Sequence, residues 1–267
     1  MANSSKYTHG HSPAVLSFHA LRTAENSAAY LLPLLHKEQH LLDIGAGPGT
    51  ITADFAKIVD RVTIIEISHE VITQSQQFFQ DNSLTNAEFH VGDVHSFPFA
   101  DEKFDVVHAH QVLQHVANPV QAFQEMARVC KPGGLVAVRD ADYGGFIWSP
   151  EFPGLDEWRE MYLSLAKSNG GDPCAGRKLL QWAHQAGLDG VSVTGACWTF
   201  SDEEERKSLS ESWIARTEGS HGQQALEKSI TTPWGMARMV NAWKSWGDDK
   251  DAWFLMPHGE VIWRKPS

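Results

Sequence analysis

The chain has 267 residues, 42% of them apolar and 21% charged, enough to bury one large core and too apolar for global disorder. Its 22 lysines and arginines against 33 aspartates and glutamates leave a net charge of −11 with histidine neutral, a field that repels phosphate backbones and anionic membranes and argues against a nucleic-acid partner. Cys130, Cys174 and Cys197 are too widely spaced for a disulfide framework or a zinc pair, no run approaches the roughly 18 apolar residues of a membrane span, and the first residues lack a signal-peptide core. A cytoplasmic monomer or homodimer is expected.

Residues 13–36 carry Val15, Leu16, Phe18 and Leu21, then Ala28, Leu31, Leu32 and Leu35, at helical spacing, which predicts two amphipathic helices. Residues 40–44 form a short apolar run stopped by Gly45-Ala46-Gly47-Pro48-Gly49, after which residues 50–59 return to helical spacing: strand, tight turn, helix. A β-branched strand follows at 61–67, and Ser68 can cap a helix reaching about residue 80. Strands are expected at 88–91 and 104–110. Asn118, Pro119 and Gln121 open a helix that stops at Lys131-Pro132-Gly133-Gly134, and residues 135–139 make a fifth strand.

Strands alternating with helices over short connections predict βαβ units, a parallel sheet and right-handed crossovers, with ligands at the carboxyl ends of the strands. Beyond residue 150 the pattern loosens to helices at 156–167 and 177–186 and a strand at 191–200. A capping box at 201–204 opens another helix, a further helix covers 233–246, and closing strand material lies at 253–256 and 259–264. The expected organisation is an N-terminal helical cap (1–38), a cofactor-binding core (39–200), a helical insertion over an acceptor pocket (201–250) and a closing core strand (251–267). The ten tryptophans all lie in the second half; most are expected in the core, with Trp148 and Trp198 as pocket candidates because they follow strand ends.

Glycines after a buried strand let backbone approach a ligand closely, and the following helix aims unpaired N–H groups at it. A nicotinamide fingerprint would place its third glycine where Thr50 stands, and the phosphate-loop ending Gly-Lys-Ser/Thr is missing, so a dehydrogenase is the weaker alternative. Asp43 and the three glycines instead match D-x-G-x-G-x-G. On this motif the chain resembles, over roughly its first 140 residues, the class I S-adenosylmethionine-dependent methyltransferases, and within them the ubiquinone and menaquinone biosynthesis C-methyltransferases, through Pro98 to Asp105 and Gln111-Val112-Leu113-Gln114-His115.

The resemblance implies an α/β fold with a doubly wound, mostly parallel, seven-stranded Rossmann-like sheet. It also implies S-adenosyl-L-methionine as cofactor, S-adenosyl-L-homocysteine as product, and cofactor binding by Asp43, Gly45, Ala46, Gly47, Glu66, Ile67, Asp93, Val94, His110 and Gln111. Glu66, 23 residues after Asp43, would accept the ribose hydroxyls and Asp93 the adenine amino group, while His110 and Gln111 would lie beside the methionine portion. The acceptor is expected to be a small, partly apolar molecule.

Methyl transfer from a sulfonium is an in-line displacement that needs acceptor, carbon and sulfur aligned in a dry pocket, and a high-pKa acceptor also needs a base. His115, five residues beyond strand four, is the first candidate. Asp140, Asp142 and Tyr143 follow strand five, where an acceptor pocket opens. His19 and Arg22 lie on the N-terminal helices, and Tyr7, His9 and His11 precede them as lid candidates. His9 with His11 and His108 with His110 are spaced to share a face of an extended segment, but no acid or cysteine completes either set, so no metal is expected. A homologue that keeps the cofactor without transferring methyl would share the same binding half.

Overall fold

The computed structural model describes residues 22–267. Tyr7, His9, His11 and His19, with the first expected helix, lie outside the described residues. Where the second amphipathic helix was expected, the chain forms one turn, α1 (Ala24–Ser27), and a 3-10 turn at Leu32–Leu34. The reason is local. Thr23 and Asn26 form the capping box that opens the turn at Ala24, but Pro33, which has no N–H, cannot carry a helix through this segment.

The strands are β1 (His40–Ile44), β2 (Arg61–Glu66), β3 (Ala87–Val91), β4 (Phe104–His110), β5 (Cys130–Ala141), β6 (Ile147–Ser149), β7 (Ser192–Phe200) and β8 (Trp253–Arg264). The sheet order is β3-β2-β1-β4-β5-β8-β6, with β7 also paired to β8. From β3 to β5 every pairing is parallel; those of β8 are antiparallel. Eight strands fill seven positions, because β7 covers one edge of β8 while β5 pairs with residues 258–264 and β6 with residues 253–255 of the other. The two expected closing pieces are thus one strand. β5 also starts earlier than expected, at Cys130 directly after α4 (Pro119–Val129), with Lys131 to Gly134 bulging between its pairs with Phe104 and Val106.

All five residues of β1 are buried, as suits a central strand covered on both faces. One face packs under α2 (Thr50–Ala56) and α3 (His69–Asp81), around Phe55, Val62 and Phe79. The other packs under α4 and α6 (Leu179–Gln185), around Phe123, Val138 and Trp182. A third core joins α5 (Pro153–Ser168), α7 (Glu203–Glu218), α8 (Ser220–Glu227) and α9 (Pro233–Asp248) to the start of β8. There Trp158 meets Trp213 edge-on at 4.5 Å and Trp243 at 4.8 Å, geometry that adds to the area the rings bury. α5, which precedes β7 in the chain, packs in the same layer as the helices that follow it. Among the described residues no helix is long and apolar enough to cross a membrane.

Candidate functional site

The turn after β1 is built from left-handed glycines, Gly45, Gly47 and Gly49 having φ of 66°, 58° and 89°. A Cβ on Gly45 would come within 2.5 Å of Val112 Cγ2, whereas one on Gly47 would meet nothing within 4 Å. The turn is therefore closed against the β4 loop on one side and open on the other, with Ala46 half-buried between the two glycines. Asp43 braces it from below: His108 Nδ1 lies 2.7 Å from its Oδ1, and the Thr52 hydroxyl donates to its Oδ2. Asp43, Thr52 and His108 are all buried. This network ties β1, β4 and the first turn of α2 together, so Asp43 points at protein partners beneath the turn.

Glu66 ends β2 with Oε1 accepting the Gly47 N–H at 2.7 Å. Burial raises its pKa, and the amides of Gly47 and Ile67 pull it back down. Ile67 beside it is 70% exposed, unusual for an isoleucine next to a strand in the sheet core. Beyond β3, Asp93 Oδ1 accepts both the backbone N–H of His95 at 2.9 Å and its Nδ1–H at 2.7 Å, leaving Oδ2 without a protein partner among the described residues. Val94 packs into the core beneath.

At the tip of β4, Gln111 takes a left-handed φ of 55°, a strained backbone for a residue with a Cβ. Its N–H bonds to Arg139 O, its Oε1 accepts from Arg22 at 3.0 Å and its Nε2 lies 2.9 Å from His258 Nε2. His258 Nδ1 lies 2.9 Å from the Met256 carbonyl and so carries the proton. Its Nε2 is then an acceptor from Gln111, and burial with the Arg139 charge holds the ring neutral by lowering its pKa.

His110 is also pushed well below its ordinary pKa, by burial and then by Arg139. Arg139, only 1% exposed, bonds Glu260 Oε1 at 3.2 Å, while Thr194 donates to Glu260 Oε2 at 2.8 Å. Trp198 covers this row, its ring 4.8 Å from the Arg139 guanidinium and 5.3 Å from that of Arg22. His110 Nε2, Arg139 Nη2 and Tyr30 Oη are buried with no protein partner among the described residues.

The loop after β4 is pinned from β5. Asp140, fully buried, accepts the N–H of Leu113 at 3.2 Å and of Gln114 at 3.3 Å, which fixes the 3-10 turn carrying His115. His115 Nε2 lies 3.1 Å from Gln114 Nε2, and burial, with Arg22 and Arg216 nearby, lowers its pKa to about 3. Tyr143 stacks on Tyr162 at 4.3 Å and its pKa is raised by burial. Asp142 is instead held in a two-pronged ion pair with Arg177. Trp148 stacks on Phe254 in the helical layer at 5.7 Å, away from the row that Trp198 covers.

Burial pushes the Asp140 carboxyl from its ordinary 3.8 up to about 8. The folded chain then holds that proton more tightly than the unfolded one, so the stability it contributes is complete below about pH 4 and is lost as pH rises towards about 8. Asp140→Asn, which cannot ionise, should flatten that decline in urea melts taken across the interval. An unchanged slope would mean that Asp140 is charged throughout.

Sequence reasoning missed Thr52, Arg139, Arg216, His258, Glu260 and Tyr30. Arg139 had a signal, a cation closing the apolar run of β5. His258 and Glu260 had a weaker one, polar residues two apart on a strand. Arg216 had none, because charged residues are ordinary on a helix.

A family profile described as a methyltransferase domain matches residues 42–138. An uncharacterised methyltransferase of Schizosaccharomyces pombe is 32% identical over 272 residues, covering 97% of this chain and 96% of its own length. The ubiquinone/menaquinone biosynthesis C-methyltransferase of Vibrio parahaemolyticus is 32% identical over 104 residues, 38% of this chain and 40% of that one. The crystal structure of the YcgJ protein from Bacillus subtilis aligns with a TM-score of 0.63 at 19% identity, over 91% of this chain and 99% of that one, a likeness of fold. With a full-length relative, a matching domain and the sheet in agreement, the chain belongs to the class I S-adenosylmethionine-dependent methyltransferases.

Proposed function

We propose that the protein moves the methyl group of S-adenosyl-L-methionine to a small, partly apolar acceptor by in-line displacement, releasing S-adenosyl-L-homocysteine. The observation that carries this reading is the bond from Gly47 N–H to Glu66 Oε1, which holds a carboxylate beside the open face of the glycine turn with the exposed Ile67 next to it. Glu66 would accept the ribose hydroxyls, Ile67 would lie against the purine, and Asp93 Oδ2 would take its amino group. At the other end, the buried donors left over on Arg139 and Tyr30, with His110, Gln111 and Arg22, suit the amino-acid portion. Gly45, Ala46 and Gly47 supply close backbone, Val94 supports Asp93, and Asp43 positions the turn through Thr52 and His108.

When bound, the sulfonium supplies the activation of the methyl carbon. A lone pair of the acceptor forms the new bond to that carbon while the carbon–sulfur bond breaks and its electron pair stays on sulfur. The chain's contribution is alignment and exclusion of water. Asp140 fixes the turn that carries His115, and Tyr143, packed with Tyr162 and Trp213, would wall an acceptor seated beside it. His115, its pKa lowered to about 3 by burial with Arg22 and Arg216 nearby, would meet the acceptor as a neutral ring too weakly basic to hold its proton, so its part would be positioning. Asp142, occupied by Arg177, would orient the loop that carries Tyr143.

Methyl-tritiated cofactor incubated with the protein and metabolite extracts should give labelled product only when the protein is present. Tight binding with no label in any product would favour a homologue that keeps the cofactor without transfer. His115→Ala should lower turnover by about a hundredfold through lost positioning with affinity for S-adenosyl-L-homocysteine nearly intact. Equal losses in both would assign His115 a structural role.

A further inference from the structure

The reading above gives Asp93 the purine amino group, and the residue that holds Asp93 is His95. Asp93 Oδ1 accepts twice from it, from the backbone N–H at 2.9 Å and from Nδ1–H at 2.7 Å. An ionised carboxylate only accepts, so this ring carries a proton on Nδ1. The two partners are unequally covered. The His95 side chain is 23% exposed, with Nε2 buried, whereas the Asp93 side chain is 56% exposed. The packed imidazole thus holds the carboxylate that faces solvent, which would otherwise keep one backbone bond about which to turn.

His95 is itself fixed from α4. Its carbonyl accepts from Gln121 Nε2 at 2.9 Å, and the Gln121 N–H bonds the Asn118 cap at 3.1 Å. Two residues on, the Phe97 N–H bonds Glu125 Oε2 at 3.0 Å, and Arg128 holds that oxygen at 2.8 Å. On the other side of Asp93, the Gly92 N–H bonds the Glu66 carbonyl at 2.9 Å. The segment that carries Asp93 is therefore anchored at both ends, and what remains to be set is the direction of its side chain. The bond from Nδ1 sets it. With Oδ1 engaged twice, Oδ2 is the oxygen offered to a ligand, and an amino group is a donor it can take.

We propose that His95 is a positioning residue: by holding Oδ1 of Asp93 it orients the other oxygen towards the 6-amino group of the purine, and so sets the preference of the site for aminopurine nucleosides. This rests on the reading of Asp93 as the purine ligand, and the test separates the two. A carboxylate aimed at a purine without the amino group forgoes a charge-assisted bond, so the preference is read as a ratio of affinities.

Titration calorimetry compares S-adenosyl-L-homocysteine with its 6-deamino analogue, which has hydrogen in place of the amino group. The parent protein is expected to bind the amino compound about tenfold more tightly. His95→Phe, which keeps a ring and loses the donor, should bring that ratio below about threefold. His95→Asn, whose amide nitrogen stands where Nδ1 stands, should keep most of it, and His95→Gln, one bond longer, should not. In an Asp93→Ala background, His95→Phe should leave the ratio unchanged, because the two residues act through one bond. Melting curves check that each variant folds. A merely structural role would weaken both ligands alike, leaving the ratio in His95→Phe at its parental value. That result, or equal loss of preference in the Asn and Phe variants, would overturn the inference with the reading of Asp93 intact. A parent that binds both compounds equally would overturn that reading and the inference with it, and a parent that binds neither would overturn the cofactor assignment itself.

Discussion

Asp43→Ala should cost the fold about 3 kcal/mol, because it strands the buried His108 ring and the Thr52 hydroxyl without their shared partner. The loss is read from urea unfolding as a lower midpoint at an unchanged slope. Removing both together, as in Asp43→Leu with His108→Leu, should cost less than the two single changes added, since the Thr52 hydroxyl alone is then left unpaired in the core. The cofactor should also bind more weakly to Asp43→Ala, because α2 and the glycine turn lose their tie to β4. A loss under about 1 kcal/mol, the ordinary value of one hydrogen bond, would show that the three residues are not a unit.

Glu66→Ala should weaken binding of S-adenosyl-L-homocysteine by about 1 to 3 kcal/mol, roughly 5- to 150-fold. Two effects combine: the ribose hydroxyls lose their acceptor, and the Gly47 N–H loses the bond that holds the turn open. Glu66→Gln separates them, because an amide oxygen still accepts from Gly47 while the charge is gone, and it should fall between the parent and Glu66→Ala. Asp93→Ala should also weaken binding, but less, since its side chain is more than half exposed and water screens what it contributes. Unchanged affinity in both alanine variants would falsify the cofactor assignment.

Much of this was readable along the chain because it is local. The β-branched run of β2, the N-cap and proline opening α4, and the glycines after β1 each report on their own few residues. The failures are local in the opposite sense. Residues 24–36 have the periodicity of a helix, but only one turn forms behind the Thr23 cap and Pro33 interrupts the rest. The tryptophans divide by depth: Trp158, Trp213, Trp243 and Trp246 fill the helical layer, while Trp198, at the edge of that layer, also meets two arginines that stand far from it in sequence.

The sequence by itself determined the alternating class of fold, the glycine turn after β1, and the acids Glu66 and Asp93 at successive strand tips, because short-range spacing encodes all of these. Only the tertiary structure decided that Asp43 faces His108 and Thr52, that Gln111 joins Arg22 to His258, and that Trp198 covers Arg139. Those contacts join residues as much as 147 positions apart. They exist because the parallel sheet and its antiparallel return bring distant strands within hydrogen-bonding reach, and no periodicity in the chain records that register.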